Sequence, residues 1–229
     1  MKDVNTRESD TSPRPPVAAL PPRDFHAALT EASNVLIDTR QMLAFGGGHI
    51  PGALNFGASG HLAIQAGWML DPSNRLLLVL DEDSQLEAVT TELARTGFNR
   101  FTGYLCGGMT AWENAGLPLE SLQQLHVRNL AKLVDSQSQP SINVLDVRTP
   151  HEWQQGHVPS AIHVFLPERA GSLQRIPKNK PVAVYCDSGY RASIAASLLQ
   201  SRGWDVRNVP GSLQAWKACG LAVEKPARA

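Results

Sequence analysis

The chain repeats itself once, and that repeat limits its architecture more than any other feature. Val35–Arg40 returns as Val144–Arg148, with Asp38 matching Asp146 at an offset of 108 residues. Gly48-His49-Ile50-Pro51-Gly52-Ala53 returns as Gly156-His157-Val158-Pro159-Ser160-Ala161 at the same offset. Leu76–Leu80 corresponds to Val182–Cys186 at 106, and Gly107-Gly108-Met109-Thr110-Ala111-Trp112 to Gly211-Ser212-Leu213-Gln214-Ala215-Trp216 at 104. Four collinear matches with a slowly falling offset describe two copies of one fold that differ by small loop deletions. A period this long excludes a solenoid, whose units run to about 20–50 residues.

Each copy alternates strand and helix signals. Val144–Val147 and Val182–Cys186 are short apolar runs, as expected of strands covered on both faces. Ala192–Ser201 carries Ile194, Ala195, Leu198 and Leu199 at helical spacing, Gly203 follows as a stop, and Val206–Val209 reads as the next strand. This pattern predicts an α/β fold, with a mostly parallel central sheet and helices on both faces of each domain. Ligands in such folds sit at the C-terminal ends of the strands. We expect a flexible tail over 1–20, a first domain over 21–122 and a second over 123–229 that opens with a helix over Val127–Val134.

Composition narrows the function. The 21 Lys+Arg balance 21 Asp+Glu, which argues against a general nucleic-acid binder or a polybasic membrane-surface protein. The balance conceals a division: residues 1–122 hold 8 basic and 14 acidic side chains, and residues 123–229 hold 13 and 7. No stretch approaches the roughly 18 apolar residues of a membrane span, and Met1–Pro16 lacks the apolar run of a secretory signal. Three cysteines, Cys106, Cys186 and Cys219, show neither CxxC spacing nor a zinc pattern, so we expect no metal, no cofactor and a cytoplasmic location.

Cys186 is the residue that carries chemistry. It ends an apolar strand, and Asp187-Ser188-Gly189-Tyr190-Arg191 leads into the helix. A thiol there faces backbone N–H groups and the positive helix end, which favour a thiolate. Gly189 permits the turn, Tyr190 is expected either to line the pocket mouth or to serve the surface alone, and Arg191 supplies a fork of N–H donors for an oxyanion. Asp187 opposes anion binding. It makes thiosulfate a less secure donor and leaves room for a thiol persulfide.

Together with Asp146-Val147-Arg148, Glu152-Trp153, Gly156–Ala161 and Gly211…Trp216, this loop resembles the rhodanese family of sulfurtransferases over about residues 23–225. The resemblance implies a catalytic Cys186 whose persulfide is cradled by the amides of Asp187, Ser188, Gly189, Tyr190, Arg191 and Ala192. The six-residue loop Cys186–Arg191 looks like the sulfur-handling form, since related phosphatases carry one residue more. It implies sulfur transfer from thiosulfate or glutathione persulfide to a thiol or cyanide. A non-catalytic regulatory or interaction module is the alternative reading. Pro13–Phe25, Gly46–Phe56 and Leu105–Glu120 are also similar to the rhodanese pair fused behind metallo-β-lactamase-type persulfide dioxygenases. With no HxHxDH motif here, such a dioxygenase is expected as a partner and not as part of this chain.

The first copy has Leu80 in place of the nucleophile, followed by Asp81-Glu82-Asp83-Ser84-Gln85, whose three carboxylates would repel a sulfur anion. We therefore expect an inactive scaffold. His49 and His157 recur in both copies, which favours a structural role over general-base work. Arg40 and Arg148 recur likewise, and a pair with an internal carboxylate such as Glu152 is expected. Trp112 and Trp216 should pack on their sheets. Cys106 faces the defunct loop, and Cys219 is expected to be inert.

Overall fold

A computed structural model describes residues 16–135, 140–167 and 176–226. The first copy contains strands β1 (Ala19–Leu20), β2 (Asn34–Asp38), β3 (Leu54–Asn55), β4 (Arg75–Val79) and β5 (Phe101–Leu105). Around them lie helices α1 (Pro22–Ala28), α2 (Met42–Gly47), α3 (Leu62–Met69), α4 (Leu86–Ala94) and α5 (Gly108–Asn114). The second copy has β6 (Gln123–Gln124), β7 (Asn143–Asp146), β8 (Ile162–His163), β9 (Val182–Tyr185) and β10 (Val206–Asn208). Its helices are α6 (Val127–Val134), α7 (Pro150–Gln154), α8 (Tyr190–Ser201) and α9 (Ser212–Ala218).

The sheets have the orders β1-β5-β4-β2-β3 and β6-β10-β9-β7-β8. The same order twice is the structural form of the repeat, and the strands of each sheet are parallel. Both central strands, β4 and β9, are apolar because parallel sheets are covered on both sides. Leu76, Leu77, Leu78 and Val79 are fully buried, as are Val182, Ala183 and Val184. The predicted helix over Val127–Val134 is α6, and its N-cap is His126, whose ring accepts from the Arg128 N–H.

The expected flexible tail is corrected at its C-terminal end. Residues 1–15 lie outside the described part of the chain, but Ala19–Leu20 is an edge strand that pairs with Tyr104–Leu105. Two residues are too few for a strand to stand out by periodicity.

By packing, the chain divides into two compact units, and these are not the two copies. One unit comprises Met1–Arg40 and Phe56–Pro118, whereas the other comprises Gln41–Asn55 together with Leu119–Ala229. A stretch of the first copy, with α2, the Gly48-His49-Ile50-Pro51 turn and β3, is thus part of the unit that carries Cys186. Within that unit, Asn55 Oδ1 accepts from the Ser193 hydroxyl at 2.5 Å, and the Asn55 N–H donates to Ser197 Oγ at 3.0 Å. Both serines are buried on α8.

The recurring turns are closed by recurring bridges. His49 exchanges both backbone hydrogen bonds with Glu120 (2.8 and 2.9 Å), and His157 does so with Glu224 (2.9 and 2.9 Å). Their rings stack on Phe45 and Trp153 at 3.8 and 3.4 Å between centroids. Each Nδ1 faces a carbonyl one turn back, of Phe45 or Trp153. These are structural histidines, which explains their presence in both copies.

Candidate active site

Cys186 follows directly on β9, and the main chain turns there into α8. The thiol is 1% exposed. Its Sγ accepts the Gly189 N–H at 3.1 Å, a geometry that needs a glycine because φ at Gly189 is +113°. The loop is tied to the start of α9 by two backbone bonds, Leu213 N–H to the Cys186 carbonyl (3.1 Å) and Gln214 N–H to the Asp187 carbonyl (3.0 Å). The Cys186 N–H itself donates to Ser212 Oγ at 3.1 Å.

The floor beneath the loop is a buried polar frame. Arg148 forks onto Asp146 with contacts of 2.6–3.0 Å, and its NH2 also donates to the Gly156 carbonyl at 2.8 Å. Tyr185, the residue before Cys186, donates to Asp146 Oδ2 at 2.5 Å and accepts the Val158 N–H at 3.0 Å. Burial, reinforced by the Asp146 charge, holds the phenol far above its ordinary range, so it remains a proton donor. The partner of Arg148 is therefore Asp146 and not Glu152. The same fork, Asp38 with Arg40, stands in the first copy.

Glu152 has a different task. It occupies the third position of α7 in a capping box with Thr149, so its carboxylate already points back over the helix start. There it receives both terminal nitrogens of Arg191, each at 2.7 Å. The sequence suggested an arginine fork open to a donor's oxyanion; in the structure that fork is engaged by Glu152. The Arg191 hydrogen bonds, opposed by partial burial and helped by Thr149, hold Glu152 at about 2, against an ordinary value of 4.5. A depressed carboxylate stabilises the fold above its unfolded pKa and loses that effect on protonation. The contribution of the pair is thus complete above about pH 4.5 and disappears as pH falls toward about 2. In thermal melts from pH 6 to pH 3, the wild type should lose more of its midpoint than Glu152→Gln. Parallel curves would contradict the pair.

The remaining loop residues fall into place around this frame. Asp187 is half-buried, and its carboxylate accepts from Gln214 Nε2 at 2.7 Å, so the acid next to Cys186 has its own partner. Ser188 is exposed, Tyr190 is half-buried at the first position of α8, and Ala192 is buried. Met42 of α2 lies against Gly189: a Cβ added there would stand 2.8 Å from the Met42 sulfur. Sequence reasoning did not find Met42, Ser212 or Gln214. Only the internal alignment held a signal for Ser212, which stands where the first copy has Gly108.

In the first copy, Leu80 is buried and Asp83–Gln85 forms a short 3-10 turn where the second copy has its cradle. Asp83 Oδ2 accepts the Gly107 N–H at 3.4 Å, so a carboxylate is seated at this strand end. Cys106 is exposed, Cys219 is half-buried, and both are free thiols. Trp112 and Trp216 are buried, with their indole N–H groups on the carbonyls of Pro118 and Ala222. Among the described residues, no group of three or more His, Cys, Asp or Glu side chains is arranged to hold a metal, and no helix is long and apolar enough to cross a membrane.

The model of the rhodanese-like domain matches residues 21–115 and again 128–219. The chain belongs to the rhodanese-like family. Curated relatives of this rhodanese-like protein include a putative sulfur carrier protein of Bacillus subtilis, 30% identical over 48% of this chain and 57% of the relative. A sulfurtransferase of Allochromatium vinosum is 34% identical over 36% of this chain and 78% of its own length. A thiosulfate sulfurtransferase of Pseudomonas syringae is 29% identical over 32% and 71%. The chain spans little more than half of the first of these. A metallo-β-lactamase domain is not among the matched families.

Proposed function

We propose that this protein is a sulfurtransferase in which Cys186 accepts sulfane sulfur as a persulfide. The observation that carries this reading is the buried Sγ held at 3.1 Å by the Gly189 N–H, at the junction of β9 and α8. A donor N–H at the sulfur favours its anionic form, which is the nucleophile. The Cys186 thiolate attacks the outer sulfur of thiosulfate or glutathione persulfide, and a new S–S bond forms. The donor's own S–S bond breaks, and sulfite or glutathione thiolate leaves with the electron pair. A thiol or cyanide then attacks the outer sulfur of the Cys186 persulfide and restores the thiolate. The amides of Asp187–Ala192 stabilise the sulfur anions at each stage. Arg191 contributes its charge through its pair with Glu152, and its guanidinium pKa is raised mainly by that carboxylate, against partial burial, with Cys186 and Asp187 adding.

A small thiol persulfide fits the loop better than a free dianion, because Asp187 and the engaged Arg191 leave little uncompensated positive charge. A persulfide dioxygenase that shares such a donor is the partner we propose. Intact mass after incubation with each donor tests the reading: a gain of about 32 Da, reversed by cyanide, is expected. No adduct with either donor would favour the non-catalytic module. Hydrolysis of a phosphate monoester would instead favour the chemistry of the related phosphatases with the longer loop.

A further inference from the structure

Ser212 is buried, and its backbone is left-handed with φ at +47°, a conformation that non-glycine residues rarely adopt. The only other non-glycine residue with positive φ among the described residues is Ser160, which is exposed in its turn. In the first copy the corresponding residue is Gly108, with φ at +58°, where the conformation carries no side-chain penalty. Space does not exclude a side chain at Gly108, since an added Cβ would meet the Leu80 carbonyl at an ordinary 3.5 Å. The copy with the thiol has the hydroxyl, and the copy with Leu80 has glycine. Strain of this kind persists where the surrounding structure has a use for the side chain.

The use is visible in the contacts of Ser212 Oγ. It accepts the Cys186 N–H at 3.1 Å, donates to the Val209 carbonyl at 2.8 Å and stands 3.9 Å from Cys186 Sγ. A hydroxyl has one proton and two lone pairs. The lone pair that fixes the Cys186 main chain is therefore independent of where the proton points. With a neutral thiol, the proton belongs to the Val209 carbonyl. A sulfur anion 3.9 Å away offers it a charged acceptor, and rotation about one bond suffices to reach it.

We propose that Ser212 is a positioning residue for Cys186: its oxygen fixes the nucleophile's main chain, and its proton turns to the sulfur when the sulfur is anionic. The inference rests on Cys186 being the nucleophile. The charged groups at the thiol are Arg191 of α8, in its pair with Glu152 of α7, and Asp187 of the loop, held by Gln214 of α9. Beneath the loop β7 adds the buried Asp146–Arg148 pair, and α2 adds the uncharged Met42. A change at Ser212 leaves all of these groups in place.

The test is Ser212→Gly, the residue the first copy already uses. Iodoacetamide modification of the Cys186 peptide, followed by mass spectrometry from pH 5 to pH 9, reads the thiolate directly and separates it from Cys106 and Cys219. The relieved strain offsets part of the cost of leaving the buried Cys186 N–H without its acceptor, so the thermal midpoint should fall less than in Ser212→Ala. The titration midpoint should nevertheless rise by about 0.5–1 pH unit, which lowers modification about 3–10-fold at pH values beneath it. Ser212→Ala, which keeps the Cβ and loses the hydroxyl, should show the same shift at lower stability, and it decides the matter if the glycine variant does not fold. A wild-type titration curve in either folded variant overturns the proposal. Because modification needs no sulfur donor, failure of sulfur transfer in the parent protein would sink the functional reading without touching this one.

Discussion

Cys186→Ser is expected to end persulfide formation, with no gain of about 32 Da from either donor and a fall in transfer on the order of 10³-fold or more. The substitution removes the thiol at the β9–α8 junction, and a serine hydroxyl there is un-ionised at neutral pH. Folding should survive, because the new oxygen takes almost the same volume and can still accept the Gly189 N–H. The first copy offers no substitute, since Leu80 has no nucleophilic atom. Cys106 and Cys219 remain in the variant and act as internal controls for non-specific uptake of sulfur. Retention of the sulfur gain, or of transfer at the parental rate, would remove Cys186 from the reaction.

The second large effect concerns separability. Residues 119–229, expressed alone, contain the whole second copy but lack Gln41–Asn55, which packs in the same compact unit. Without that segment, Ser193 and Ser197 lose their Asn55 partners and the Cys186–Arg191 loop loses Met42 at Gly189. Two buried hydrogen bonds contribute about 0.5–1.5 kcal/mol each, and the exposed apolar surface adds to the loss. A total of about 3 kcal/mol is a large share of a domain's stability and corresponds to a fall of about 10 °C or more in midpoint. Persulfide formation should fall with it. Asn55→Ala in the full chain should reproduce part of the effect, about 1–3 kcal/mol. A fragment that melts and reacts like the full chain would show that the segment is dispensable.

The strand and helix pattern was legible because both central strands are continuous apolar runs and α8 has helical spacing. Cys186 and its loop were legible for a similar reason: a lone thiol at the end of an apolar strand, before a glycine and a helix, stands out in one dimension. The partnerships were not. Arg191 looked available until the capping box of α7 turned Glu152 toward it, and no spacing rule links residues 39 positions apart. Asp187 looked harmful to anion binding until Gln214 of α9 was seen to hold it. Sequence likeness assigns residues 41–55 to the first copy, as does the family match over 21–115, whereas packing groups them with the second unit, and no one-dimensional pattern shows that. Edge strands of two residues, such as β1, carry no periodicity to read.

The buried Asp–Arg fork is the same in both copies, with contacts of 2.6–3.1 Å in the first and 2.6–3.0 Å in the second. One frame therefore carries two different loops, and the chain contains its own graft experiment. The interval from the end of the fourth strand to the following helix is where the copies part, with Cys186 and a glycine turn in one and Leu80 and a 3-10 turn in the other. If the hydroxyl of Ser212 belongs with that interval, converting the first copy would require two insertions distant in sequence, the loop at Leu80 and a side chain at Gly108. Transplanting chemistry within this architecture then depends on moving a pair of segments together.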